Sequence, residues 1–173
     1  IVIILALLTF VVLVTYNGNS VEKVLSQIED EPITVIDQKK FEKGMIVFYQ
    51  QKGLDQEYIS FAYLKKQLLS GYKLQTSGIQ EMGSALDRYG VSFGSLLEVE
   101  GFPTVCYGLL ENEEIVELKV IERSRMIEQE VKMLNTGEEI FWISELENFQ
   151  GTGWILLGID KDGEEVVKIE TNL

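Results

Sequence analysis

The groups that could do chemistry here are carboxylates, lysines, tyrosines, hydroxyls and one thiol, because the 173 residues include no histidine and a single cysteine, Cys106. Ser-His-Asp and Cys-His nucleophile systems therefore lack their base, and imidazole or cysteine metal clusters lack their ligands. Asp160-Lys161-Asp162-Gly163-Glu164 starts like a calcium loop. Such a loop needs a bidentate Glu six residues beyond its glycine, where Ile169 stands, so an Asp-Gly hairpin turn accounts for it better. Glu98-Val99-Glu100 and Glu111-Asn112-Glu113-Glu114 could bind a cation or act as an acid/base pair across a cleft, with a solvated hairpin tip as the plainer alternative. Ser70-Gly71-Tyr72-Lys73 spells S-x-x-K, and Ser60 precedes Lys65 and Lys66, but both sit in strand patterns without a Gly-rich oxyanion segment. Gly90, Gly94 and Gly101 do not form a phosphate loop. Tyr107, Trp142 and Trp154 remain as possible ligand-contact aromatics that could stack on a sugar or peptide, against the competing role of core residues. No catalytic, metal or cofactor residue is expected.

The elements that would position these groups read as an α+β, mainly β chain. Ser20 is a plausible N-cap for a helix over 20–31, with Val21, Val24, Leu25 and Ile28 on one face and Pro32 as its stop. Residues 34–43 read as a short helical or irregular piece. Met45–Tyr49, Tyr58–Leu64 and Gly71–Thr76 read as the strands of an antiparallel meander. The glycine-punctuated stretch 77–102, with a short helix over Gln80–Tyr89, reads as the connection between two halves. Three hairpins then follow: 105–110 with 114–121, 126–134 with 138–144, and 154–160 with 164–170. Their regular spacing predicts a small β-sandwich-like module, although 126–134 also fits a helical period. The expected units are 20–102 and 103–173.

Ahead of both lies Ile1–Tyr16, apolar except for two threonines and free of charge. A bilayer core of about 30 Å asks for about 20 apolar residues, so this run reads as an N-terminally incomplete transmembrane anchor. A cleaved signal peptide and a buried globular helix are the alternatives. Lys23 is the one basic residue close behind the run, which places the soluble part outside the cell. The net charge of −13 makes nucleic acid an unlikely partner and predicts repulsion from anionic lipid, so the head would stand off the bilayer on its anchor. One cysteine excludes an internal disulfide, and its apolar surroundings Thr104-Val105-Cys106-Tyr107 read as those of an inert buried thiol. An outward-facing head without disulfides suits a Gram-positive cell surface.

Two resemblances support this placement. Tyr107-Gly108-Leu109, Glu114-Ile115, Leu118-Lys119-Val120, Ile140-Phe141-Trp142 and Gly158-Ile159-Asp160-Lys161-Asp162-Gly163-Glu164 resemble a sandwich module of bacterial cell-surface proteins. Val47-Phe48-Tyr49, Ala62-Tyr63-Leu64, Gly71-Tyr72-Lys73 and Ser77-Gly78 are similar to the N-terminal part of uncharacterised membrane-anchored extracytoplasmic proteins of Gram-positive bacteria, with Tyr72 where that pattern has tryptophan. These motifs mark fold and location and imply no activity. The expected role is a single-pass, membrane-tethered binding or accessory domain at the cell envelope, not an enzyme, with an envelope protein or the cell wall as partner. The alternatives are an envelope hydrolase using paired carboxylates and a regulatory subunit of a membrane complex.

Overall fold

The computed structural model describes residues 20–52, 58–68, 71–99, 102–137, 139–146 and 153–171. The expected anchor, residues 1–16, lies outside them. Among the described residues no helix is long and apolar enough to cross a membrane. The chain is mainly β with antiparallel sheets and few helices. It divides into two compact units between Ile79 and Gln80.

The first unit is a meander of β1 (Ile33–Phe41), β2 (Gly44–Gln51), β3 (Tyr58–Gln67) and β4 (Gly71–Glu81), in that spatial order. Residues 34–43, expected to be helical or irregular, instead make most of β1, with a register shift between Val35 and Asp37. Thr34, Val35 and Ile36 are β-branched and favour the pleat, while the polar run that follows is tolerated because β1 is an edge strand. β2 is the opposite case, buried on both faces, which is why Met45–Tyr49 is continuously apolar.

Helix α1 (Val21–Leu25) is much shorter than the expected 20–31. Ser20 caps it, its hydroxyl accepting from Lys23 N at 3.2 Å. Five residues cannot sustain a helix alone. Val21, Val24 and Leu25 are buried against Met45, Val47, Tyr49, Ala62 and Leu64, and burying each such side chain contributes roughly 1.5–3 kcal/mol. The meander also fixes polarity along the sheet. The β1–β2 and β3–β4 turns lie at one end, and the start of β1 and the end of β2 lie at the other.

The second unit includes helix α2 (Gly83–Tyr89), which ends at Gly90 with φ +65°, and strand β5 (Gly94–Leu96). These residues were expected to link the halves. They belong to the second because β5 pairs with β6 (Thr104–Leu110) and Val91 enters its core. One sheet has the order β5, β6, β10 (Ile140–Leu146), β9 (Val131–Asn135), and the other β12 (Glu165–Glu170), β11 (Trp154–Ile159), β7 (Glu117–Glu122), β8 (Ile127–Gln129). Cys106, Leu110, Trp142 and Leu146 from the first sheet share one core with Leu118, Val120, Trp154, Leu156 and Ile169 from the second. That is the arrangement of a β-sandwich.

The β9–β10 and β11–β12 hairpins are where their turn residues predict them. The segment before β7 is not a hairpin, because β6 and β7 lie in different sheets. Glu111 N and Asn112 N both donate to Gly90 O at 2.9 Å, pinning a connection that crosses between the sheets. The expected strand 126–134 is two strands, β8 paired with β7 and β9 paired with β10. The break is at Glu130, whose carbonyl accepts from Ser144 Oγ at 2.8 Å.

Candidate functional site

The three aromatics singled out for ligand contact are core residues. Tyr107 and Trp142 are 0 % exposed and Trp154 is 1 % exposed. Tyr107 donates its hydroxyl to Gln80 Oε1 at 2.7 Å, and Trp142 donates its indole N–H to Ser92 O at 3.1 Å. Trp154 stacks edge-to-face with Phe93 at 5.4 Å between ring centroids. None of the three presents a face to a ligand in this conformation. The alternation that puts them on strands also aims them at the shared core.

The acidic stretches are turn and loop groups. Asp160 Oδ1 accepts from the backbone N–H of Asp162 and of Glu164, both at 2.9 Å, and Gly163 takes φ +86°, so the aspartate shapes a hairpin turn. Asn112 Oδ1 accepts from Glu114 N at 3.0 Å beside exposed Glu111, Glu113 and Glu114. Glu98 is exposed and donates its backbone N–H to Thr104 Oγ1, while Glu100 lies outside the described residues. Ser60 is 2 % exposed in mid-strand, opposite Tyr49, and Ser70 lies outside the described residues. Among the described residues no group of three or more His, Cys, Asp or Glu side chains could hold a metal ion.

One concave feature among the described residues of the first unit is a cleft of about 550 Å³ where α1 turns into β1. It is lined by Glu22, Ser26, Glu29, Asp30, Glu31, Pro32, Ile33 and Val35. The helix is short, so the chain leaves it after one turn, and Pro32 delivers it into the edge strand. Glu29 holds the corner in place. Its two carboxylate oxygens accept from Tyr49 Oη and from Gln51 Nε2, each at 2.5 Å.

Burial, and then Glu29 as a hydrogen-bond partner and neighbouring charge, raise the Tyr49 phenol well above its ordinary value. Tyr49 therefore stays protonated and donating. With Glu29 committed to the scaffold, Glu22, Asp30 and Glu31 remain as carboxylates beside the apolar Pro32, Ile33 and Val35. That lining suits a cationic side chain flanked by an apolar one.

Sequence reading missed Ser92 and Glu122. Ser92 is 0 % exposed, its hydroxyl accepting from Leu109 N at 2.8 Å while its carbonyl holds Trp142. Glu122 is a fully buried carboxylate at the end of β7, paired with Arg125 and accepting from Ser124 Oγ at 2.7 Å. The sequence signal for Glu122 was the Ser124-Arg125 pair two and three residues on, which resembles any polar turn. Comparison with known protein families, characterised proteins and solved structures finds no match.

Proposed function

We propose that this chain is a membrane-tethered, outward-facing, non-catalytic binding or accessory domain at a cell envelope of Gram-positive type. The uncharged apolar run Ile1–Tyr16 carries the reading, since its length and composition approach what a bilayer core asks of a spanning helix. The rest of the molecule is in keeping with a binding role. Tyr49, Tyr107, Trp142, Ser92 and Glu122, groups that chemistry commonly draws on, each hold the scaffold together. The open, one-signed cleft at the α1–β1 corner is the contact surface in this reading, and its partner presents a Lys- or Arg-bearing segment of an envelope protein. A tether raises the effective concentration of such a partner, so weak contacts suffice.

Crosslinking of the full-length protein in its native membrane, followed by mass spectrometry, tests this. One dominant envelope partner is expected, with recovery reduced about tenfold in an Asp30→Lys/Glu31→Lys variant, equivalent to one or two lost charge pairs. A chain that crosslinks to nothing and hydrolyses wall polymers overturns it.

A further inference from the structure

The net charge of −13 describes the whole chain, but the meander sorts charge by position. Residues 38–45, 63–68 and 71–75 meet at the end of the first sheet that carries the β1–β2 and β3–β4 turns. Their charged groups are Lys39, Lys40, Lys43, Lys65, Lys66 and Lys73, with Glu42 as the one carboxylate. The backbone brings them together. Lys65 is the register partner of Gly44, Lys66 N donates to Lys43 O at 2.8 Å, and Lys40 pairs across to Met45, itself opposite Leu64.

Lys40, Lys43, Lys65, Lys66 and Lys73 are all exposed. Beside them stands Leu68, 98 % exposed at the end of β3. At the far end of the sheet, the described residues 29–33 and 50–52 hold Glu29, Asp30 and Glu31 against Lys52.

Distance decides which charge a surface feels. The eight residues of β2 separate the two ends by about 27 Å at about 3.4 Å per residue. That is about three Debye lengths at physiological salt, so the acidic end is screened from anything touching the basic one.

We propose that the lysine-rich end of the first sheet docks on an anionic lipid bilayer, with Leu68 entering the interfacial layer. A cluster of lysines at the sheet end that also carries an exposed apolar side chain is what an interface of anionic headgroups over hydrocarbon accepts, and each lysine near such a surface raises partitioning about fivefold. The tether proposed above keeps the first unit close to the bilayer. The four residues 17–20 between the apolar run and α1 reach at most about 14 Å. The head then lies on the membrane, where net charge alone would hold it off.

The test uses the full chain carrying Leu68→Cys labelled with an environment-sensitive fluorophore. Cys106 is 0 % exposed and does not compete for the label. The protein is reconstituted with phosphatidylcholine vesicles, or with vesicles in which about one lipid in three is phosphatidylglycerol. Flotation reports the tether, and quenching of the label by spin-labelled lipid reports the tip.

Flotation on both compositions, with quenching several-fold stronger on anionic vesicles, is expected. That difference should vanish in a Lys43→Gln/Lys65→Gln/Lys66→Gln variant, and a label at Glu31→Cys should stay unquenched. Flotation without quenching at position 68 overturns the docking contact and leaves the tether standing. Flotation on anionic vesicles alone, with quenching, upholds the contact and overturns the tether. Absence of flotation overturns both, and quenching that survives loss of the lysines overturns the assigned charge recognition.

Discussion

The indole N–H of Trp142 reaches the carbonyl of Ser92, 50 residues away in sequence, at 3.1 Å, and it does so past Gly108. A Cβ at position 108 would stand 2.0 Å from that carbonyl oxygen and 2.8 Å from the indole nitrogen. The glycine therefore makes room for a buried hydrogen bond tying the segment before β5 to β10. Gly108→Ala both overpacks the site and strands the indole donor, and the two effects together should cost about 3 kcal/mol. Both tryptophans lie in the second unit, so the urea midpoint followed by tryptophan fluorescence measures this unit directly. An unchanged midpoint would refute the role given to Gly108.

Glu122 and Arg125 make a second test of the same unit. The carboxylate is fully buried, and its partner closes the turn in which Met126 adopts φ +53°. That conformation costs a non-glycine residue about 1 kcal/mol, which the ion pair and the Ser124 hydroxyl offset. Arg125→Ala takes a cation from a buried carboxylate and should lower the stability of the unit. Glu122→Gln removes the charge as well and should cost less than Arg125→Ala. Equal midpoints for the wild type and Arg125→Ala would show that the pair is not structural.

Alkaline pH should unfold the first unit through two phenols. Tyr49 is raised above 10.0 by burial and by Glu29, and burial pushes Tyr63 up to about 12. The folded state then holds these protons more tightly than the unfolded chain does. Their contribution is fully present below pH 10, the unfolded value, and is lost as pH rises through 10 to 12 and beyond. Absorbance at the phenolate band should show the two ionising together with loss of structure. Tyr49→Phe and Tyr63→Phe should each flatten the decline of stability in that window, whereas an equally steep decline in both would contradict the assignment.

Cys106 should be inert. It is 0 % exposed in the sandwich core, and burial raises its thiol well above the ordinary value, so neither access nor thiolate is available. A disulfide reagent should modify it only at the rate of unfolding, with urea accelerating the reaction in parallel with the loss of tryptophan signal. Rapid stoichiometric labelling of the native protein would place the thiol elsewhere.

Strands were legible where burial imposes a one-sided or continuous apolar pattern. Met45–Tyr49, Tyr58–Leu64 and the two C-terminal hairpins at Asn135-Thr136-Gly137 and Lys161-Asp162-Gly163 follow from alternation and turn chemistry. β1 was not, because an edge strand with a solvated side can carry Asp37, Gln38, Lys39 and Lys40 and so lose its periodic signal. The connection 111–116 resembled a hairpin because local residues specify that the chain turns, and not which sheet it joins next. The switch at Glu130 was hidden for the same reason, since both strands flanking it are short and of one composition. The cleft was invisible because its corner is set by Glu29 meeting Tyr49 twenty residues away.

From its residues alone this protein declared an uncharged apolar run over 1–16, a mainly antiparallel β body, a single buried thiol and no imidazole, because each follows from composition or from a local period. Pairing across the sheets decided the rest. It turned Tyr107, Trp142 and Trp154 inward, joined β5 to the second unit, and gathered six lysines at one end of a sheet in a chain of net charge −13. Contacts between residues far apart in sequence make those decisions, and a local pattern carries no record of which strand will lie beside which.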